Sequence, residues 1–116
     1  MIAGQIVIVD WRDAIAGSWE ANKKRPGIVV SSADFSAHDH RFEIVVPLSG
    51  RVNAAIPYAT TLIAPTPQNG CTKPCFALAW NVQSVSHVRL TETSSMITDD
   101  ELRDIRAKIT DCIYDR

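Results

Sequence analysis

The sequence predicts a small, mainly β protein that ends in one α-helix. Along most of its length, short apolar segments alternate with turn-forming residues, which is the pattern of short strands. In the final segment the apolar residues recur with the period of a helix instead. Five or six short strands and a terminal helix favour a small twisted barrel or half-barrel, between the all-β and α+β classes.

Length and charge limit the class of protein. The chain has 116 residues, which predicts a single domain over residues 1–116. A composition of 46% hydrophobic and 22% charged residues is typical of a globular protein. The net charge of -1 argues against a nucleic-acid coat protein but allows a local basic site. Without a long apolar run or a signal-peptide pattern, we expect a cytoplasmic protein that does not associate with membranes.

Apolar residues and turns place the strands in order. The first strand covers residues 5–10, where Ile-Val-Ile-Val lies within a polar frame. A long loop follows, and we expect residues 17–24 to be mobile because long polar loops are usually functional or flexible. Arg25 and Pro26 then lead into the second strand. Proline has no backbone N–H to donate in strand pairing, which is tolerated at the start of a strand. The later strands are predicted at residues 27–31, 42–48, 58–63, 76–80 and 84–91.

The C-terminal segment predicts a helix that begins at Thr98. Thr98 and Glu101 have the spacing of a capping box, in which each side chain binds the other residue's backbone N–H. Acidic residues follow the cap, where the helix dipole favours negative charge. One face of this helix is apolar and consists of Leu102, Ile105, Ile109 and Ile113. We expect this face to pack on the barrel; the alternative is a dimer or partner surface.

The three cysteines favour reduced thiols. Cys71, Cys75 and Cys112 are an odd number in a chain without an export signal. A zinc site at Cys71 and Cys75 would need two further ligands, for which His38 and His40 are the nearest candidates. The spacing matches no familiar zinc motif, so we interpret these residues as ordinary loop residues and predict no metal.

Basic residues before the second strand form a candidate anion site. Lys23, Lys24 and Arg25 place three positive charges together, and Pro26 restricts the backbone beside Arg25. A guanidinium on a rigid element can hold two phosphate oxygens with fixed geometry. The alternative is a solvated run of surface charge, which the residues alone favour.

Two further features lie near these charges. A hydroxyl at the end of the third strand, Ser49, can donate to a phosphate, although strand-end serines are mostly turn formers. Trp19 lies close to the basic residues, and exposed aromatics among cations can stack unpaired bases. Its alternative role is to cover the open end of the barrel. Glu20, between the aromatic and basic groups, can accept a proton.

Several segments together resemble the MazF/PemK family of toxins from bacterial toxin–antitoxin pairs. Residues 4–10, GQIVIVD, are similar to the family's Gly-Asp-Ile-Val-x-Val-Asp strand. Residues 25–31, RPGIVVS, are similar to its Arg-Pro-Ala-Val-Val-Leu-Ser, the most specific single piece. Residues 46–49, VPLS, resemble a Val-Pro-(Leu/Ile)-Thr strand end, and the capped helix resembles the family's C-terminal one. The resemblance covers nearly the whole chain.

The resemblance implies an SH3-like barrel of up to seven strands, as in MazF and CcdB, acting as a homodimer. It also implies a toxin that cuts single-stranded RNA at short sequences, without metal or cofactor, through attack of a ribose 2′-hydroxyl on its own phosphate. The family's catalytic arginine and threonine fall on Arg25 and Ser49. The implied partner is a cognate acidic antitoxin. A fixed guanidinium and a hydroxyl donor are suited to stabilising the extra charge of the phosphorane.

The chain departs from the family pattern where RNA would be recognised. In the first loop, Trp19 stands where the family has an acidic residue, and Glu20 follows it. The RNA-binding residues that the resemblance implies in this loop are Trp19, Glu20, Lys23 and Lys24. The family's Asp-Gln-(Val/Ile)-(Lys/Arg) segment corresponds to residues 80–83, WNVQ, which have lost the charges. The implied contacts there come from Asn81 and Gln83, and we expect an altered RNA specificity.

Two alternative functions use the same barrel. A gyrase-poisoning toxin like CcdB would end in a Trp-Gly-Ile-type tail, whereas this chain ends Ile113-Tyr114-Asp115-Arg116. A non-catalytic binding barrel would have lost the use of Arg25 or Ser49. The presence of both groups argues against that loss.

Overall fold

Seven strands and a C-terminal helix form the framework of the protein in the computed structural model, which describes residues 1–11, 24–37 and 41–114. The strands are β1 (Gln5–Asp10), β2 (Lys24–Val29), β3 (Phe42–Ser49), β4 (Thr60–Ile63), β5 (Cys75–Leu78), β6 (Gln83–Ser86) and β7 (Leu90–Met96). The helices are α1 (Ala33–Ala37) and α2 (Asp99–Ile113), and 3-10 turns cover Val52–Ala54, Ala79–Asn81 and His87–Arg89. The predicted class, mainly β with a C-terminal helix, is confirmed.

The strands form one antiparallel sheet in the order β4-β5-β3-β2-β1-β7, with β6 pairing to β3 beside this path. Among the described strands, β4 and β7 end the path without pairing to each other. The sheet is therefore not closed and corresponds to the predicted half-barrel. Neither described helix is both long enough and apolar enough to cross a lipid bilayer.

Strand β3 connects the parts of the sheet by changing neighbours along its length. Residues 42–45 pair with β6, residues 45–47 pair with β2, and residues 48–49 pair with β5. The end of β3 thus leaves β2 just before Ser49, and a gap opens between the ends of β2 and β3.

The two faces of the sheet bury two separate apolar clusters. Alternate residues of β1 point to opposite faces, so Ile6 joins one cluster while Val7 and Val9 join the other. The first cluster is covered by α2 through Leu102 and Ile105. The second cluster consists of Val7, Val9, Val29, Val45 and Val85.

Helix α2 starts as predicted and packs over part of its predicted face. Thr98 Oγ1 accepts from the Glu101 N–H at 3.1 Å, and the Thr98 N–H donates to Glu101 Oε1 at 2.9 Å. Leu102 and Ile105 are buried, but the prediction that Ile113 packs with them is wrong, because it is 72% exposed. The Arg106 guanidinium ties the helix to the end of β2 by donating to the Val30 carbonyl at 3.0 and 3.1 Å.

Several secondary-structure elements differ from the predicted ones. Strand β2 begins at Lys24, so Arg25 and Pro26 lie within it; residues 24–26 pair only with β1, and proline is tolerated on such a one-sided segment. The predicted strand 84–91 is divided into β6 and β7 by the 3-10 turn His87–Arg89. Helix α1, with five residues, is too short to produce a recognisable period.

A polar network fastens α2 to β4 and makes stability depend on pH. Thr61 Oγ1 donates to Asp104 Oδ2 at 2.6 Å, and Lys108 Nζ lies 2.9 Å from the same oxygen. The hydrogen bond from Thr61, followed by that from Lys108, lowers the pKa of Asp104 below its ordinary value of 3.8. The carboxylate therefore stabilises the fold fully above that pH, and this contribution is lost as the pH falls through the lowered pKa.

We accordingly expect Asp104→Asn to lower the melting temperature at neutral pH and to lose this effect in acid. Thermal unfolding of the wild type and the variant between pH 7 and pH 2 measures the difference. In a Thr61→Val background the effect of Asp104→Asn should be smaller and less pH-dependent, because the main cause of the low pKa is gone. Parallel curves for the wild type and Asp104→Asn over the whole pH range would contradict this assignment.

Candidate functional site

An open cavity of about 870 Å³ lies where β2 and β3 separate. The ends of these two strands form one wall, and the loop between β4 and β5 forms another. The 3-10 turn Ala79–Asn81 and parts of β6 and β7 complete the rim. The cavity combines an apolar floor, which includes Ile6 and Leu48, with polar and charged groups around it.

Arg25 and Ser49 lie near the strand ends that border the opening. The ladder between β2 and β3 pairs Gly27 with Pro47, and side-chain alternation along the strands places Arg25 and Ser49 on the same face of the sheet as this pair. Both residues line the cavity. The two strands that carry these residues, β2 and β3, are neighbours in the sheet.

Local hydrogen bonding orients the Ser49 hydroxyl. Its Oγ accepts the backbone N–H of Arg51 at 3.2 Å, a bond that folds the chain just after β3. The hydroxyl retains its own hydrogen for donation. Ser49 is thus both the turn former and the potential donor that the sequence suggested.

Four cations line the cavity, whereas no acidic residue does so in the part of the chain that the structure describes. The cations are Arg25, Arg51, Lys73 and Arg89. They lie on four different elements or connections, although the protein as a whole has a net charge of -1. The concentration of positive charge at one opening favours an anionic ligand.

The opposite rim presents groups suited to contacting a base. Trp80 is exposed at the cavity, and Asn81 and Gln83 line it. Gln83 Nε2 donates to Asn81 Oδ1 at 3.1 Å, so the two amides are held together. Such groups recognise base edges and stack on base faces.

A buried amide shapes the loop between β4 and β5. The Asn69 side chain is almost completely enclosed, with 3% exposure. Its Oδ1 accepts from the Thr66 N–H at 3.1 Å and the Cys71 N–H at 2.9 Å, and its Nδ2 donates to the Ala64 carbonyl at 2.8 Å. Asn69 therefore forms hydrogen bonds with backbone groups both before and after it in the loop. The next residue, Gly70, has a positive φ of 67°, a conformation that favours glycine.

We expect Asn69→Ala to lower the free energy of unfolding by about 1–3 kcal/mol, because it leaves buried backbone groups without partners. Chemical denaturation followed by fluorescence measures the loss. Gln68→Ala is the matched control: this neighbouring side chain is exposed, and its substitution should change stability by less than about 0.5 kcal/mol. Equal effects of the two substitutions would show that the buried amide does not hold the loop.

The two loop cysteines lie at the cavity as adjacent thiols. Cys71 and Cys75 are half-buried against the first apolar cluster. Burial and the neighbouring Cys75 raise the pKa of Cys71 to about 11. Cys71 consequently remains a protonated thiol at neutral pH and is a poor nucleophile. No group of three metal-binding side chains occurs among the described residues, and the zinc candidates His38 and His40 lie outside them.

The predicted site residues thus fall into three groups. Arg25, Ser49, Asn81 and Gln83 meet at one cavity. Lys24 is exposed at the start of β2 and does not belong to the cavity wall. The remaining candidates lie outside the described residues; they are Trp19, Glu20 and Lys23. The loop over 17–24 that was predicted to be mobile also lies outside them, except for Lys24.

Three cations at the cavity did not emerge from the sequence. Arg51 could have been identified from the sequence, because it lies only two residues after Ser49. Lys73 and Arg89 are isolated charges in the sequence, and only the fold brings them to the ends of β2 and β3.

The chain matches a known protein family. The family model described as PemK-like, MazF-like toxin of type II toxin-antitoxin system covers residues 2–113. The chain therefore belongs to this family of toxins, whose known activity is that of an endoribonuclease. The match decides for a MazF-like toxin over a CcdB-like one.

Solved structures agree in fold. A MazF crystal structure from Deinococcus radiodurans has a TM-score of 0.73 at 22% identity, covering 96% of this chain and 94% of that chain. Mycobacterium tuberculosis toxin MazF-mt6 has a TM-score of 0.70 at 15% identity, covering 93% and 94%. An endoribonuclease in complex with its cognate antitoxin from Mycobacterial species has a TM-score of 0.68 at 18% identity, covering 97% and 94%. No curated protein sequence matches significantly.

Proposed function

We propose that this toxin cuts single-stranded RNA at the cavity, without metal, and that Arg25 and Ser49 act on the cleaved phosphate. The observation that carries the proposal is that four cations from different parts of the chain line one cavity. Each of these positive charges strengthens the binding of a polyanionic RNA strand. The open shape of the cavity suits a single strand whose bases are turned outward.

The chemistry follows from the two groups at the phosphate. The ribose 2′-oxygen forms a bond to phosphorus while the bond to the 5′-oxygen of the next nucleotide breaks, which leaves a cyclic phosphate and a free 5′-hydroxyl. The intermediate phosphorane carries more negative charge than the phosphodiester. Arg25, with two parallel donors, and the Ser49 hydroxyl stabilise this added charge.

Proton transfer needs a separate acceptor. The 2′-hydroxyl loses its proton as it attacks, and Glu20, which lies outside the described residues, is the proposed acceptor. Arginine holds its proton firmly in proteins, so we assign charge stabilisation to Arg25 and not proton donation. The departing 5′-oxygen takes its proton from solvent water in the open cavity, which gives the free 5′-hydroxyl.

The cleavage reaction itself provides the test. Purified protein is incubated with a mixed RNA in EDTA, and the cut sites and end groups are mapped. We expect 5′-hydroxyl and cyclic phosphate ends at a short recurring sequence. An oligonucleotide with a single 2′-deoxy nucleotide on the 5′ side of the mapped bond is the matched control, and it should bind but remain intact. Cleavage of that control, or loss of activity in EDTA, would contradict the mechanism.

We also propose that the toxin acts as a cytoplasmic homodimer. Several apolar side chains are strongly exposed on the isolated chain, among them Tyr58, Leu62, Val88 and Tyr114. Self-association would cover part of this surface. Light scattering at micromolar concentration should give twice the chain mass, and a monomer without antitoxin would contradict the proposal.

The proposed inhibitor is an acidic antitoxin segment that folds on binding. Its carboxylates would occupy the cavity cations and displace RNA, and the affinity would fall with salt. The product of a neighbouring gene is the reagent for the test. If it fails to reduce RNA cleavage at saturating concentration, this assignment is wrong.

A further inference from the structure

The side chain of Lys73 lies directly across Gly50. A Cβ atom placed on Gly50 would lie 2.6 Å from Lys73 Cε and 3.2 Å from Lys73 Nζ. Gly50 does not have the positive φ that would by itself favour glycine. Because Gly50 has no side chain, there is room beside it for the end of the Lys73 side chain. The Lys73 ammonium therefore lies next to Gly50, the residue after Ser49.

The loop that carries Lys73 is anchored on both sides. Before it, the buried Asn69 binds the N–H of Cys71, and the Gln68 carbonyl accepts from Met96 of β7 at 2.9 Å. After it, Cys75 begins β5, whose residue Phe76 pairs with Ser49. The position of Lys73 relative to Ser49 is thus set by the sheet as well as by the loop.

The ammonium of Lys73 is available to a ligand. Lys73 is exposed, lines the cavity with Arg25, and forms no ion pair within the part of the chain that the structure describes. The described cavity wall has no acidic residue that would neutralise it. A cation at a basic cavity, without a charged partner among the described residues, is arranged to bind an anion.

We propose that Lys73 binds an RNA phosphate next to the one that is cleaved. The inference rests on the proposed ribonuclease function and extends it by adding a second phosphate position. Arg25 and Ser49 occupy the cleaved phosphate, and Lys73 extends beyond Ser49 over Gly50. An ammonium acts as a point charge on a phosphate that does not change during the reaction, so it stabilises the bound substrate and the transition state alike.

The test compares Lys73→Met with Arg103→Met. Each variant removes one positive charge, but Arg103 lies on α2 and pairs there with Asp100, away from the cavity wall. The probe is an RNA containing the cut sequence with a 2′-deoxy nucleotide at the cut site, so that binding is measured without cleavage. Binding is followed by fluorescence anisotropy at several salt concentrations.

We expect Lys73→Met to weaken binding several-fold at low salt and to reduce the slope of log affinity against log salt by about 0.7, the value for one phosphate contact on a single strand. With cleavable RNA, KM should rise several-fold while kcat changes less than about twofold. Arg103→Met should leave the slope and KM unchanged. An unchanged slope for Lys73→Met would overturn the inference.

A second variant tests the geometry. Gly50→Ala keeps the charge but displaces the end of the Lys73 side chain, so any change in RNA binding should occur in the wild-type background and not in the Lys73→Met background. Equal effects in both backgrounds would overturn the inference. If wild-type protein neither cuts nor binds RNA, the ribonuclease proposal fails as well; if it cuts normally and only the Lys73 results fail, that proposal stands.

Discussion

Replacing Arg25 with alanine is expected to lower the rate of RNA cleavage about a hundred- to a thousandfold, the usual cost of removing one fixed donor to a developing oxyanion. The loss should appear in kcat, because the added charge exists only in the transition state. Single-turnover cleavage of an oligonucleotide carrying the mapped site measures it. Arg25 is exposed at the start of β2, so the melting temperature should change little.

Arg25→Lys separates charge from geometry. An ammonium keeps the charge but cannot hold two phosphate oxygens in a fixed arrangement, so rescue should be incomplete. Arg103→Met again serves as the control for a lost surface charge. An Arg25→Ala variant that cuts RNA at the wild-type rate would remove Arg25 from the mechanism.

Replacing Ser49 with alanine is expected to lower the cleavage rate about ten- to a hundredfold, less than the loss of Arg25, because a neutral hydroxyl is the weaker donor. Ser49→Thr should be nearly neutral, since it retains the hydroxyl. The same single-turnover assay measures both variants.

The turn after β3 complicates the interpretation of Ser49→Ala. Ser49 Oγ also accepts the Arg51 N–H, so alanine removes a turn contact together with the donor. The melting temperature of Ser49→Ala separates the two roles, because loss of the turn contact lowers stability whereas loss of the donor lowers only the cleavage rate. If Ser49→Ala and Ser49→Thr have equal rates, the hydroxyl has no role in turnover.

The sequence predicted the fold well where local physics determines it. The capping box at Thr98 is formed by side chains within one turn, and the first strand is specified by its own apolar residues. Burial of Ile113 was predicted wrongly, because the helical period cannot show where the sheet beneath α2 ends. The division of residues 84–91 into two strands likewise depends on neighbours, since β6 pairs with β3 and β7 pairs with β1.

The cavity was only partly predictable for the same reason. Arg25 and Ser49 could be brought together in advance because adjacent strands and the family pattern both placed them there. Lys73 could not, because its place depends on the loop that Asn69 folds and on the absence of a side chain at Gly50. The contact between Gly50 and Lys73 joins residues more than twenty positions apart, and periodicity does not record such a contact.

The three successive partners of β3 have a consequence for inhibition. Ser49 ends the strand that joins β6, β2 and β5 into one sheet, so displacing this strand would break pairing on both of its sides. Segments with so many partners open only with the whole domain. We therefore do not expect an inhibitor of the toxin to act by distorting the strands around Ser49. Covering the cavity or moving its loops requires far less energy, and it leaves the enzyme intact and ready to act once the cover is removed.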